Sequence, residues 1–397
     1  MTAYPAPPLD TLAARLQSLL DADYPRFSSA EMQVRRAALT KTMDAAGVDH
    51  LLMCGENRAG SGVQWLTAWP VTAEAVALVA RGTPDTLYVQ FYNHLPLARR
   101  LAAEADVQWG GPSTVGTVIA ELKRRGAKRV GVMGTLGFGK YNKLAEHFDT
   151  VDMNAAYVGL RLQKSAEEID WLRIGAAFCD RAIEALRAQM RPGLSERELW
   201  DITERAYVPH GGGTHIHYFG VTSMARPDCH VPRQFASARR LAAGDVVFTE
   251  ISGAFWDYPG QVLRSFAVAA EPTPLYRDLY AVADAAFEAV TAVLRHGTTM
   301  QEIVAASAMI ETAGFTSCDD LLHGFGGGYL PPVLGSASRP AGPLPALTLE
   351  VGMTVVVQPN VITRDGSAGV QVGELVHITA DGYERLHAAP REFFRVG

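Results

Sequence analysis

Apolar and polar residues follow two different rhythms along this chain, and the rhythm changes near residue 157. A helical pattern over 28–48 comes first, with Ser28 and Ser29 offering a cap and Glu31 in the first turn. Short apolar runs at 51–53, 76–79, 87–91 and 130–133 then alternate with helical patterns at 95–105 and 115–125. Strands and helices in alternation predict an α/β domain built on a mixed sheet, over 1–157. None of its turns carries a GxGxxG or Walker signature, so nucleotide binding has no support.

Beyond residue 157 the pattern is different. Ser165 followed by Glu168 has the form of a capping box, and the helix it opens should run to about Met190, where Pro192-Gly193 ends it. Ser195 and Glu198 open a second helix, up to about Tyr207. After that come antiparallel strand pairs around a helical block at 274–294 and 300–313. Helices followed by strands without a βαβ rhythm predict an α+β domain over 158–397, and an α+β fold for the whole chain.

Composition narrows the function. A chain of 397 residues is too long for one compact core and fits two domains. A net charge of -6 leaves no basic footprint for nucleic acid or an anionic membrane. The four cysteines (Cys54, Cys179, Cys229 and Cys318) form no CxxC pair, which argues for reduced thiols. Residues 1–20 carry prolines and Asp10 where a signal peptide needs an apolar run, so the expected location is the cytoplasm.

Five ordered segments carry a family resemblance: "LRLQKSAEEIDWLR" (160–173), "AGDVVFTEISGAFWDYPGQVLRSFAV" (243–268), "LLHGFGGGY" (321–329), "LEVGMTVVVQPNVI" (349–362) and "GVQVGELVHITADG" (369–382). Together they resemble the pita-bread superfamily of creatinase, prolidase and aminopeptidase P. A looser match, "VQWLTAW" (63–69), lies in the first domain. The resemblance implies a pita-bread domain behind a creatinase-type N-terminal domain, a hydrolase acting on C–N bonds, and a homodimer.

Metal-dependent members of that superfamily hold two divalent cations with two Asp, one His and two Glu. The matching positions here are Glu250, Gln261, His323, Gln358 and Gly373, with Glu374 one residue along. On a strand, that one-residue displacement turns the side chain to the opposite face. Two hard dications bring four positive charges against one dependable carboxylate, and an uncompensated buried charge costs several kcal/mol. Two metals are therefore not expected, and no cofactor is; a single zinc on Glu250, His323 and a third group stays open.

The retained residues suggest a re-used pocket. His230 in "RPDCHVPR" (226–233) matches the position at which metal-free creatinase has its general acid/base, and Glu250 with its Ile-x-Gly sequel resembles the metal-free ectoine hydrolases. The resemblance thus implies His230, Glu250 and His323 as catalytic residues, with Gln261, Arg264, Gln358, Glu374 and Arg58 around the substrate. A carboxylate among amides suits a small-molecule substrate that brings its own positive charge, and an imidazole with a reference pKa near ~6.5 can carry the proton. Arg264 has a structural ion-pair role as its alternative, and Arg58 in "ENRAGSG" (56–62) is by default a surface residue. His215 and His217 in "THIHYFG" (214–220) alternate, which predicts both on one face of a strand, as structural or substrate-lining groups in preference to a metal pair. The other readings are a catalytically inactive binding protein and an Xaa-Pro dipeptidase or aminopeptidase with an unusual metal site.

Overall fold

The computed structural model describes residue 9, residues 12–56 and residues 61–397. The chain divides into two compact units, one spanning Ala22–Arg161 and the other Leu162–Gly397 together with the segment up to Asp21. Among the described residues no helix is long and apolar enough to cross a membrane.

In the unit Ala22–Arg161, helix α1 (Ser29–Ala46) begins where Ser28 accepts a hydrogen bond from the Glu31 backbone N–H and ends at Gly47, whose φ of 64° is left-handed. Strands β1 (His50–Glu56), β2 (Glu74–Ala80), β3 (Thr86–Val89), β4 (Asp106–Trp109), β5 (Arg129–Gly134) and β6 (Asp149–Asp152) form one sheet in the order β4-β3-β2-β1-β5-β6. It is mixed: β1 runs antiparallel to β2 and parallel to β5. Helix α2 (Thr114–Arg124) covers it with Val115, Val118, Ile119 and Leu122, a 3.6-residue stripe packed on Leu52, Val76 and Leu78. The helical pattern predicted at 95–105 stops at Leu101, and the polar-looking β4 follows it.

The second unit is organised around a curled antiparallel sheet. Helix α3 (Ala166–Gln189) opens with the Ser165–Glu168 capping box and α4 (Glu196–Arg205) with the Ser195–Glu198 box. Strands β7 (Gly212–Ser223), β8 (Asp245–Phe255), β9 (Val262–Val268), β10 (Leu322–Phe325), β11 (Tyr329–Leu334), β12 (Thr354–Val357) and β13 (Gly373–Ile378) pair in the order β11-β10-β12-β13-β9-β8-β7. Helix α5 (Pro274–Val293) lays Tyr276, Leu279, Ala283, Phe287 and Val290 on the back of that sheet, and burial of Leu279, Phe287 and Val290 is worth about 1.5–3 kcal/mol each. The block predicted over 300–313 breaks at Ser307, whose hydroxyl turns back to the Val304 carbonyl at 2.8 Å.

One close approach fixes the site. Helix α3 crosses the turn before β9 at Gly175, where a β-carbon would fall 2.4 Å from the Tyr258 carbonyl oxygen, and at Gly260, where one would fall 2.6 Å from the Ala176 Cα. Glycine at both points lets the helix press on the turn that delivers Gln261.

Candidate functional site

The inner face of the curled sheet holds a cavity of about 450 Å³, walled by β7, β8, β10 and the segments entering β9, β10 and leaving β12. Glu250 projects into it from the middle of β8, paired across the ladder with Tyr218 on β7 and Leu263 on β9. Gln261 donates Nε2 to Glu250 Oε1 at 2.7 Å and, more weakly, to Gln358 Oε1 at 3.4 Å. His323 of β10 completes this group: its Nδ1 lies 3.1 Å from the Gly324 carbonyl and its ring stacks on Tyr329 with centroids 4.3 Å apart.

Burial sets the electrostatics. It pushes the Glu250 carboxyl up to about 8, with the nearby charges of Asp319 and Asp320 adding to the shift. Asp319 is also raised, by burial first, while the backbone of Asp320 holds it down in part. His323 and His215 are both lowered by burial, so both imidazoles are neutral near pH 7. A protonation state close to balance at Glu250 is what a proton-carrying group needs.

Asp319, Asp320 and Tyr329 line the cavity although nothing in the sequence singled them out. A pair of aspartates before an apolar strand reads as a solvated turn, and only the curl of the sheet brings them over Glu250. Tyr329 donates its hydroxyl to Asp320, and Asn360 donates Nδ2 to Asp319 at 3.3 Å.

Glu374, Arg264 and His230 are not among the residues that line this cavity. Glu374 lies on β13 opposite Val262 and Val357, with its carboxylate turned away to Arg264 at 2.8 Å and to Arg385. Burial alone would raise Glu374, but Arg385 and Arg264 outweigh it and hold the carboxyl at about 2. Arg264 spends its guanidinium on Glu374 and on the carbonyls of Leu263, Gly373, Ala389 and Pro390, at 2.8–3.0 Å. Both side chains are thus committed to a buried ion-pair network, and neither lines the cavity. His230 does not line the cavity either: its neighbours Val231 and Pro232 do, and a β-carbon on Gly366 would stand 3.7 Å from its Cε1. Arg58 lies outside the described residues.

The two alternating histidines of β7 part company. The ladder slips between Thr214 and Ile216, so His215 is an inserted residue and joins Ile216 and Tyr218 at the cavity. His217 points the other way, to Tyr207 Oη at 2.5 Å and the edge of Trp200, and burial lowers it to about 4.

The donors available to a metal ion can be read from this geometry. Among the described residues no group of three or more His, Cys, Asp or Glu side chains converges as a metal site. At Gly373, the fifth position, a β-carbon would fall 2.6 Å from the Val357 carbonyl oxygen and 2.9 Å from the Gln358 Cα, so the backbone of Gln358 occupies the space a carboxylate would need. At the five family-matched positions the side chains are one carboxylate, one histidine and two amides, with none at Gly373, fewer anionic oxygens than two hard cations need. The cavity's other carboxyl groups, Asp319 and Asp320, lie outside those positions.

Comparison with known proteins places this architecture. The profile described as "Metallopeptidase family M24" matches residues 170–380. The chain is similar to the uncharacterized peptidase YqhT of Bacillus subtilis, 23% identical over 354 residues that cover 87% of this chain and 95% of that protein. It is similar to an Xaa-Pro dipeptidase of Pyrococcus furiosus, 23% identical over 274 residues, 68% of this chain and 76% of that one. Among solved structures, an Xaa-Pro dipeptidase from Bacillus anthracis superposes with a TM-score of 0.77 at 23% identity, covering 92% of this chain and 100% of the other.

Proposed function

This chain belongs to metallopeptidase family M24, and we propose that within that family it hydrolyses a C–N bond of a small cationic or zwitterionic molecule using protein groups where its relatives use metal ions. The observation that carries this reading is the buried Glu250–Gln261 pair, which stands where a dinuclear centre would need carboxylates and leaves one carboxyl poised near neutrality.

The chemistry follows from that group. In its ionised form, the minor one below about pH 8, Glu250 takes a proton from a water molecule, the water oxygen bonds to the carbon, the C–N bond breaks, and Glu250 returns the proton to the departing nitrogen. Gln261 Nε2 keeps the carboxyl oriented throughout. Burial lowers the basicity of His323, stacked on Tyr329, so it holds a proton less readily than Glu250. This moves the acid/base role from His230 to Glu250, because Glu250 is the one of the two that lines the cavity.

The test is an assay of EDTA-treated protein on small amidines, ureas, lactams and N-methyl amino acids, followed by mass spectrometry for the addition of water. Product formation that is insensitive to EDTA and lost in Glu250→Gln supports the reading. Turnover seen only after Mn or Zn is added contradicts it.

The similarity to Xaa-Pro dipeptidases favours a second reading, in which the substrate is a dipeptide with a prolyl amide bond. A dipeptide's free ammonium group also suits an acidic cavity. Cleavage of Gly-Pro or Ala-Pro by the purified protein supports that reading.

A further inference from the structure

Among the described residues the cavity is lined with hydrogen-bond acceptors and no fixed cation. Glu250, Asp319 and Asp320 bring carboxyl groups, Gln261 and Gln358 bring amides, and none of the lining residues is Lys or Arg. Buried carboxylates elsewhere in this unit have partners of opposite charge or dedicated donors: Glu374 has Arg264 and Arg385, while Glu196 has Arg233 and the Ser237 backbone N–H. The half-buried Asp319 and Asp320 receive, among the described residues, neutral donors from Asn360, Tyr329 and the Asp320 backbone N–H, with no Arg or Lys paired to them. Gln261 adds an independent sign. It is 1% exposed, its Nε2 is committed to Glu250 and Gln358, and its Oε1 has no hydrogen-bond partner among the described residues. A buried acceptor in that state costs free energy until a donor reaches it.

We propose that this cavity recognises an organic cation bearing N–H donors (an ammonium, amidinium or guanidinium group), anchored by Asp319 and Asp320, with Gln261 Oε1 as a further acceptor. The proposal rests on the hydrolase reading for the reaction that follows binding, and on the cavity alone for the binding itself. Both charge and donors matter. A neutral urea offers N–H groups but leaves the carboxylates uncompensated, and a quaternary ammonium offers charge but cannot reach the orphan acceptor with a hydrogen bond. Tyr218, Phe325 and Tyr329 also line the cavity and would favour a quaternary group if aromatic faces set the preference.

Isothermal titration calorimetry on the full chain with three probes of similar size separates these cases: butylguanidinium, butylurea and butyltrimethylammonium. We expect butylguanidinium to bind at least about tenfold more tightly than either of the others, and the double variant Asp319→Asn, Asp320→Asn to erase that advantage. Equal binding of butylurea, tighter binding of butyltrimethylammonium, or no binding of any probe overturns the proposal. If the double variant does not fold, the three-probe comparison on the unaltered chain decides. Selectivity for butylguanidinium without hydrolysis of any substrate leaves this site standing and removes the hydrolase reading. Hydrolysis of neutral substrates with no preference for the cation does the reverse.

Discussion

Gln261 holds Glu250 through a 2.7 Å hydrogen bond across the hairpin that joins β8 to β9. Both side chains are almost wholly buried, and among the described residues no arginine or lysine lines their cavity. A carboxyl group in that setting resists ionisation, and several expectations follow from it.

Glu250 should make stability depend on pH. Its carboxyl is raised to about 8 in the folded chain against about 4.5 unfolded, so the folded state binds more protons between those values. The contribution is fully present below about 4.5 and is lost as pH rises through about 8. Glu250→Gln removes this dependence. Thermal unfolding of the two proteins between pH 5 and pH 9 should show the unaltered chain losing on the order of a few kcal/mol relative to the variant. Parallel curves would mean that the carboxyl is not held protonated.

Two candidate bases can be told apart by substitution. Glu250→Gln should lower turnover by about 10²–10⁴, the usual worth of a positioned proton carrier. His230→Ala should cost at least about tenfold less, because its ring sits beside Gly366 and not on the cavity. Steady-state rates for the two variants on one substrate give the comparison, and an equal loss in both would return His230 to the chemistry.

Arg264 and Glu374 should govern folding. Arg264 is 1% exposed, and replacing it with alanine strands the Glu374 carboxylate in the interior with Arg385 alone, at a cost of about 3–5 kcal/mol. Glu374 is held at about 2, below its ordinary value, so its contribution is present above about 4.5 and is lost as pH falls through about 2. Denaturant titration of Arg264→Ala checks the magnitude. A change under about 1 kcal/mol would contradict the buried ion pair.

Gly373 limits what can be rebuilt. Gln261→Asp combined with Gln358→Glu returns two carboxylates to the cavity, and this variant should bind one divalent ion. Gly373→Glu added to it should destabilise the fold without adding a second ion, because the Gln358 backbone fills the space. Calorimetric titration with Mn²⁺ reads both outcomes, and two ions in the triple variant would contradict the clash.

Much of the fold was legible in the sequence because its signals are local. The Ser165–Glu168 and Ser195–Glu198 capping boxes, the Ser28 cap and the alternation of strands and helices are written within a few residues each. Glu250, Gln261, His323 and Gln358 could be brought together from ordered motifs, and the structure does gather them. The one-residue offset at Gly373 and Glu374 also carried its meaning, since the strand's two-residue period turns Glu374 outward to Arg264. What escaped depends on register and long-range curl. The slip beside Thr214 that splits His215 from His217 leaves no mark in an alternating sequence. Asp319 and Asp320 reach the cavity from a segment far along the chain from Glu250, and the loop after β7 puts Val231 and Pro232, not His230, on its wall.

The proposal that this M24 member works without a dinuclear metal centre is tested most directly by its metal stoichiometry. Protein incubated with excess Mn²⁺, Co²⁺ or Zn²⁺, freed of unbound ions by gel filtration and analysed by inductively coupled plasma mass spectrometry, should retain less than one ion per chain. Two ions per chain, retained with a matching gain in hydrolytic activity, would contradict it.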